Sequence, residues 1–260
     1  MNPPQTALVT GASSGIGRAL AHLFARDGYS VVLVGRQRES LEAVRKEIAL
    51  VSHAPVFCLT ADLASPDGAG LLHADILREQ LTIDVLVNNA GVGMQGAFLT
   101  LSLDRQLQMM TLNMTSLVTL TRLLTPGMVA RRRGGVLNVG SMAAFQPGPF
   151  MAVYYATKAF VVSFSEAIAD EFTGTGVVVS CLAPGATATR FAAEAGATRS
   201  RLFSGDMMSA EEVARIGYDA WKGGKPLVIA GLRNRVSQML VRIMPRAYVR
   251  GVVRRLNTEG

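Results

Sequence analysis

Cysteine, histidine and tryptophan are scarce here: two, three and one in 260 residues. Cys58 and Cys181 both fall inside apolar runs, where a buried small hydrophobe is the ordinary reading and a disulfide framework has nothing to build on. His22, His53 and His73 are scattered and share no ligand spacing with either cysteine, so no metal site is expected. No run of about 18 uninterrupted apolar residues occurs, which argues against a membrane span. The first residues lack the basic-then-apolar order of a secretory leader. Low-complexity stretches, internal repeats and linkers are also missing, so one domain is expected, and a chain of this length can bury a substantial core. A cytoplasmic, metal-independent protein is the simplest reading.

What is present is an alternation. Short β-branched apolar runs at 6–10, 31–35, 56–60, 85–88, 136–139, 177–182 and 227–230 are separated by stretches with helical spacing. Strands and helices in alternation imply a parallel sheet covered on both faces, a doubly wound α/β fold. After the first run, bounded by Pro3-Pro4 and Gly11, comes Gly11-Ala-Ser-Ser-Gly-Ile-Gly17, and then Ala19, Leu20, Leu23 and Phe24 repeat helically. Strand, glycine turn, helix is the context of a dinucleotide site. Gly11 permits the tight turn, Gly15 lets backbone approach a pyrophosphate, and Gly17 lets the helix pack close to the sheet. The spacing G-x-x-x-G-x-G fits the general G-x-G-x-x-G pattern only loosely.

Farther along, Tyr154 and Lys158 stand at i, i+4, which puts phenol and ammonium on one helix face. A phenol titrates near pH 10, and bringing it to neutrality by about three units takes roughly 4 kcal/mol of differential stabilisation, for which a lysine one turn away is a source. Tyr155 lies about 100° around the helix from Tyr154 and lacks that spacing. Alone, Tyr-x-x-x-Lys arises often by chance on amphipathic helices.

Taken together, Thr10-Gly-Ala-Ser-Ser-Gly-Ile-Gly17, Asn88-Asn-Ala-Gly91, Ser141, Tyr154-x-x-x-Lys158 and Pro184-Gly185 resemble, in order and distance, the motifs of short-chain dehydrogenases/reductases, from about residue 5 to residue 230. The resemblance implies a single Rossmann-type domain and a catalytic tetrad of Asn113, Ser141, Tyr154 and Lys158. Tyr154 would protonate a substrate carbonyl as hydride arrives, Lys158 would lower the phenol's pKa and hold the nicotinamide ribose, and Ser141 would hold the carbonyl oxygen. Asn113 would anchor a water to the lysine, against the plainer readings of a local helix bend or an interhelical bond. Around the cofactor it implies the turn residues Gly11, Ser13, Ser14, Gly15, Ile16 and Gly17. Asp62 and Leu63 would take the adenine, with Ser65 rather than Asp62 capping the next helix. Asn89, Ala90 and Gly91 would line the adenosine side while Asn88 ties strands together. Pro184, Gly185, Thr187 and Thr189 would clamp the carboxamide. Self-association through helices near 102–132 and 154–173 is also implied.

Cofactor choice is read at the end of the second strand, where an acid favours NAD and an arginine accommodates a 2′-phosphate. Here stands Gly35-Arg36, with Arg38 a weaker candidate, so NADP(H) is expected. Residues 190–208 show little regular patterning and are expected to form a substrate lid, reaching from about 187. Candidate wall residues are Met94, Phe145, Phe150 and Met151, then Phe191, Phe203, Met207 and Met208. They imply a lipophilic carbonyl such as a ketoacyl, steroid-like or xenobiotic compound, although lids are greasy over a nicotinamide whatever the substrate.

The formal charge of +7 is uneven. Residues 233–260 carry seven arginines and one acid, Glu259, whereas residues 1–232 hold 19 basic and 18 acidic residues. This reading gives a catalytic domain over 1–232 and a basic amphipathic extension over 233–260, with helical apolar spacing on both sides of Pro245. Three readings of the extension stay open: peripheral contact with a membrane surface, packing on a neighbouring subunit or the substrate cleft, or a disordered basic end. Nucleic-acid binding is not expected, because only Tyr248 interleaves with these arginines. The functional expectation is an NADPH-dependent carbonyl reductase forming a homodimer or homotetramer. The alternative is an NADPH-sensing protein of the same fold with little turnover.

Overall fold

The computed structural model describes residues 4–258; Pro3 and Glu259 lie outside them. The elements run β1 (Thr6–Thr10), α1 (Gly15–Arg26), β2 (Ser30–Gly35), α2 (Arg38–Ala49), β3 (Val56–Thr60), α3 (Gly68–Arg78) and β4 (Val85–Asn88). Then come α4 (Leu103–Met110), a π-helical turn (Thr111–Thr115), α5 (Ser116–Ala130), β5 (Gly134–Val139), α6 (Ala152–Glu171) and β6 (Val177–Ala183). The last part holds β7 (Thr187–Ala188), α7 (Phe191–Glu194), β8 (Met208–Ser209), α8 (Ala210–Lys222), β9 (Leu227–Ile229), α9 (Leu232–Ile243) and α10 (Arg246–Asn257).

Seven strands form one sheet in the order β3-β2-β1-β4-β5-β6-β9, and every pairing is parallel. Both faces are covered, so the strands read as unbroken apolar runs. Alternate residues nonetheless go opposite ways. Ala7, Val9, Val31, Leu33, Val85 and Val87 pack with α1, α2 and α8 through Phe24, Leu41 and Trp221. Leu8, Val32, Val34, Leu86 and Val136 pack with α3 and α5 through Leu72, Leu120 and Met128. The order of strands reverses between β1 and β4, and a crevice opens there at their carboxyl ends, as this topology requires.

Departures from the sequence reading are local. The 102–132 helix is two helices joined by the π turn at Asn113. Ser65 does not cap α3, whose N-cap is Asp67, because the helix begins only at Gly68. The 190–208 segment is ordered by one turn of α7, a 3₁₀ turn at Arg201–Phe203 and the two-residue pairing of β7 with β8. Sequence periodicity also gave no hint of Asp84, a buried carboxylate. It accepts from Thr6 N (3.1 Å) and from Arg131 Nη2 (3.2 Å), with Arg133 Nε 3.7 Å away, and so fastens the amino ends of β1 and β4 to the turn after α5.

Candidate active site

A cleft of about 440 Å³ runs along the carboxyl ends of the central strands, from Arg36 and Asp62 at one end to Ser141, Tyr154 and Phe203 at the other. Its floor is the turn after β1. Gly11 and Gly15 take φ of +65° and +54°, left-handed values that only glycine adopts without strain. Gly17 is needed for a different reason: a Cβ there would come within 2.3 Å of Asn89 Nδ2 and 2.4 Å of Gly11 O. Asn89 earns its place by donating to Thr10 O (2.9 Å) and Gly11 O (3.2 Å), holding the glycine turn open. Asn88, by contrast, points away and donates to Thr121 Oγ1 and Asn138 Oδ1. Ser14 sits at the N-cap of α1 yet makes no side-chain capping bond, which leaves its hydroxyl free beside the positive end of the helix.

At one end Arg36 is exposed and lines the cleft, whereas Arg38 is occupied with Glu42 and with Cys58 O. Ser13, Ile16, Asp62, Leu63, Ala90 and Gly91 also line it, and so do Pro184, Gly185, Thr187 and Thr189. The left-handed turns, the uncapped serine and an arginine free of carboxylate partners among the described residues fit a phosphorylated dinucleotide.

At the other end Tyr154 and Lys158 are both buried, on the first two turns of α6. Ser141 closes β5 and is held by accepting from Ala143 N (3.0 Å). Asn113 is drawn in by the π turn: its Oδ1 accepts from Val92 N (3.0 Å), and its Nδ2 donates to Val92 O (3.0 Å) and Thr157 Oγ1 (3.0 Å). Gly91 lies between the two polar groups, for a Cβ there would be 3.2 Å from Asn113 Oδ1 and 3.4 Å from Lys158 Nζ. The four tetrad positions therefore converge, with Asn113 both at a helix irregularity and beside the lysine.

The largest influence on the phenol here is burial, ahead of any charge. Burial pushes Tyr154 up to about 12, with the Ser141 hydroxyl pulling the other way. The Lys158 ammonium sits 6.0 Å from the Tyr154 ring centroid and donates to Val139 O (2.8 Å). Burial lowers the lysine itself to about 8.

Of the eight predicted wall residues, Met151, Phe191 and Phe203 line the cleft. Phe203, Phe191 and Tyr154 form a ladder of rings, with centroids 6.3 Å and then 5.2 Å apart. The other five are elsewhere. Met94 and Phe150 line a separate small hollow behind the cleft. Phe145 packs under α6 with Val161 and Val162. Met208 is pinned in β8 and packs against the sheet core, and Met207, just before it, is outside the cleft. Loop position alone did not show which way these side chains turn. The sequence reading missed Gln146, whose Oε1 is buried without a hydrogen-bond partner among the described residues, and Leu202 and Tyr155 on the same wall. It also missed Asn257, which accepts from Tyr155 Oη (3.2 Å) and donates to Pro149 O (2.9 Å), closing the wall from 102 residues away.

The short chain dehydrogenase family model matches residues 5–200. Very-long-chain 3-oxoacyl-CoA reductase of Bos taurus is 35% identical over 190 residues, covering 72% of this chain and 60% of that protein's length. Sulfoacetaldehyde reductase of Chromohalobacter salexigens is 40% identical over 186 residues, covering 70% and 72%. Among solved structures, a short-chain dehydrogenase from Sphingobium yanoikuyae in complex with NADPH superposes with a TM-score of 0.81 at 31% identity, over 94% of this chain and 97% of that one. The chain belongs to the short chain dehydrogenase family.

Proposed function

We propose that this chain reduces the carbonyl of a lipophilic ketone or acyl compound to an alcohol, using NADPH. The observation that carries this is the convergence of Tyr154, Lys158 and Ser141 in the cleft, away from Arg36. NADPH, when bound, supplies the hydride. The turn Gly11–Gly17 and the amino end of α1 would receive its pyrophosphate, Ser14 and Arg36 its 2′-phosphate, Asp62 and Leu63 its adenine, and Thr187 and Thr189 its carboxamide. The NADPH complex of the Sphingobium yanoikuyae enzyme supports this choice over NADH.

The chain's own groups handle the proton. Reduction needs a phenol that still carries its hydrogen, and a Tyr154 pushed to about 12 is protonated throughout the neutral range. As the carbonyl oxygen gains charge, Tyr154 Oη releases its proton to it while the Ser141 hydroxyl holds the same oxygen. The phenolate left behind faces Lys158, which at about 8 remains largely cationic at neutral pH and stabilises it. Asn113, beside Lys158 across Gly91, would position water to return the proton.

The two named relatives act on very different molecules, a very long acyl thioester and a small sulfonated aldehyde. The walls favour the first kind: Met151 and Phe191 pack beside Tyr154, and Leu202 and Phe203 add apolar surface to the same cleft. A panel of lipophilic and polar carbonyls, scored by NADPH consumption, tests the reading. Turnover of bulky apolar ketones is expected. Turnover confined to small anionic or sugar carbonyls would refute the substrate class, and nucleotide binding with no turnover of any carbonyl would favour a sensor. The same reading expects self-association, supported by the exposed Leu103, Leu107, Leu123 and Phe160 on α4, α5 and α6.

A further inference from the structure

α9 is built inside out. At 100° per residue, Leu232, Val236, Met239, Leu240 and Ile243 fall within one arc of about 100°. All five are exposed, Leu232 and Ile243 at 75% and 79%. The side turned to the protein is mostly polar, with Val241 the one apolar residue of α9 that packs inward. Asn234 Nδ2 donates to Ala230 O (2.6 Å) there, and Gln238 is buried. A helix stabilised by tertiary packing turns its apolar stripe inward; this one turns it out. Arg233 flanks one edge of the arc, and Arg235 and Arg242 flank the other.

α10 continues the chemistry while anchoring the pair. Val249 and Val253 are buried in one cluster with Met151, Tyr154 and Tyr155. Ser200 Oγ, from the lid, donates to Leu256 O (2.7 Å). Its outer face shows Tyr248, Val252 and Leu256 at i, i+4, i+8, all exposed, next to Arg255. Between Lys222 and Thr258 the sequence contains no Asp or Glu. Among the described residues, no carboxylate lies within 4.0 Å of the seven arginines of α9 and α10.

This charge decides what can cover the face. A second copy related by a twofold axis would bring arginine against arginine. An anionic lipid surface satisfies both features: apolar side chains enter the boundary between headgroups and acyl chains, and flanking arginines meet phosphates. We infer that α9 and the outer face of α10 dock the molecule on an anionic membrane surface. The docking face stands independently of the proposed reductase activity. Because α10 also walls the reacting end, docking places that end near the lipid that would hold an apolar substrate.

The test is sedimentation of the full chain with vesicles of phosphatidylcholine alone and of phosphatidylcholine with phosphatidylserine, at low and high salt. Two double variants accompany it, Met239→Glu with Ile243→Glu, and Arg233→Gln with Arg242→Gln. Their fold is checked by circular dichroism and their mass by light scattering. Wild type is expected to bind the anionic vesicles preferentially and to release with salt. Each variant is expected to bind about tenfold more weakly or less, at unchanged mass. Equal binding by the variants, no preference for anionic lipid, or a drop in oligomer mass in Met239→Glu with Ile243→Glu would overturn the inference.

Discussion

Lys158 illustrates a conflict between stability and chemistry. Its ammonium is buried with one protein acceptor, Val139 O, and burial lowers it to about 8. The folded state therefore holds fewer protons than the unfolded chain between about pH 8 and the ordinary lysine value of 10.5, so stability rises with pH across that window. Lys158→Met should remove the cost of burying the charge. Set against the lost hydrogen bond, that leaves a gain of about 2 kcal/mol at pH 7. Urea unfolding from pH 7 to pH 10 checks this: the variant should be more stable at pH 7 and lack the upward slope above pH 8. Arg36 presents the opposite case, an exposed arginine with no carboxylate partner among the described residues. Arg36→Asp should weaken NADPH binding about 10- to 100-fold, or about 1.4–2.8 kcal/mol, with NADH binding unharmed, as read by fluorescence titration. Equal losses for both nucleotides would mean the arginine does not meet the 2′-phosphate. Both residues were legible in sequence by their positions in motifs. The rise in Tyr154's pKa was not, because desolvation depends on what closes over the phenol, and Phe191 arrives from the lid.

Elements were legible where composition left little choice. The seven β-branched runs became the seven strands of the sheet, with ends moving by a residue or two at Ser30, Gly134, Ala183 and Ile229. Helix irregularities were harder to see. A π turn at Thr111–Thr115 costs regular hydrogen bonding, and Asn113 repays part of that by bonding both polar atoms of Val92. Asn113→Ala leaves those groups and Thr157 without their partner in a buried setting. It should cost about 2–3 kcal/mol in urea unfolding and lower turnover more than it raises KM. A variant as stable and active as wild type would mean the turn holds itself. Asp84 makes a comparable tie between strands through Thr6 N and Arg131, invisible in sequence because a lone acid before a strand has no periodic signature. Asp84→Ala is expected to lower the urea midpoint by an amount equivalent to about 2 kcal/mol, discounted for the partly exposed arginines.

At the scale of the whole molecule, the crevice follows from topology. Reversal of strand order between β1 and β4 opens the carboxyl edge, and the glycine turn, Arg36 and Asp62 line it. The cleft-lining residues proposed to hold the nucleotide could be read from sequence because they sit in short local motifs. The proposed substrate half could not, because its walls come from segments far apart in sequence: Met151, Phe191, Phe203 and, through Tyr155, Asn257. Phe145, Phe150, Met207 and Met208 lie near those segments, and Met94 lies two residues beyond Val92 of the cleft, yet all pack into the body of the protein or stay outside the cleft. The described part of the basic extension, 233–258, packs on the same body, because α10 buries Val249 and Val253 beside Tyr154. The two tyrosines side by side on α6 have different partners: Tyr154 meets Ser141, while Tyr155 donates to Asn257. Turnover of an apolar ketone, measured together with NADPH affinity in Tyr154→Phe and Tyr155→Phe, tests this division most directly. The account predicts a loss of at least a thousandfold in kcat for Tyr154→Phe at unchanged NADPH affinity, with Tyr155→Phe retaining most of its kcat. Substantial turnover in Tyr154→Phe, or its loss in Tyr155→Phe instead, would contradict it.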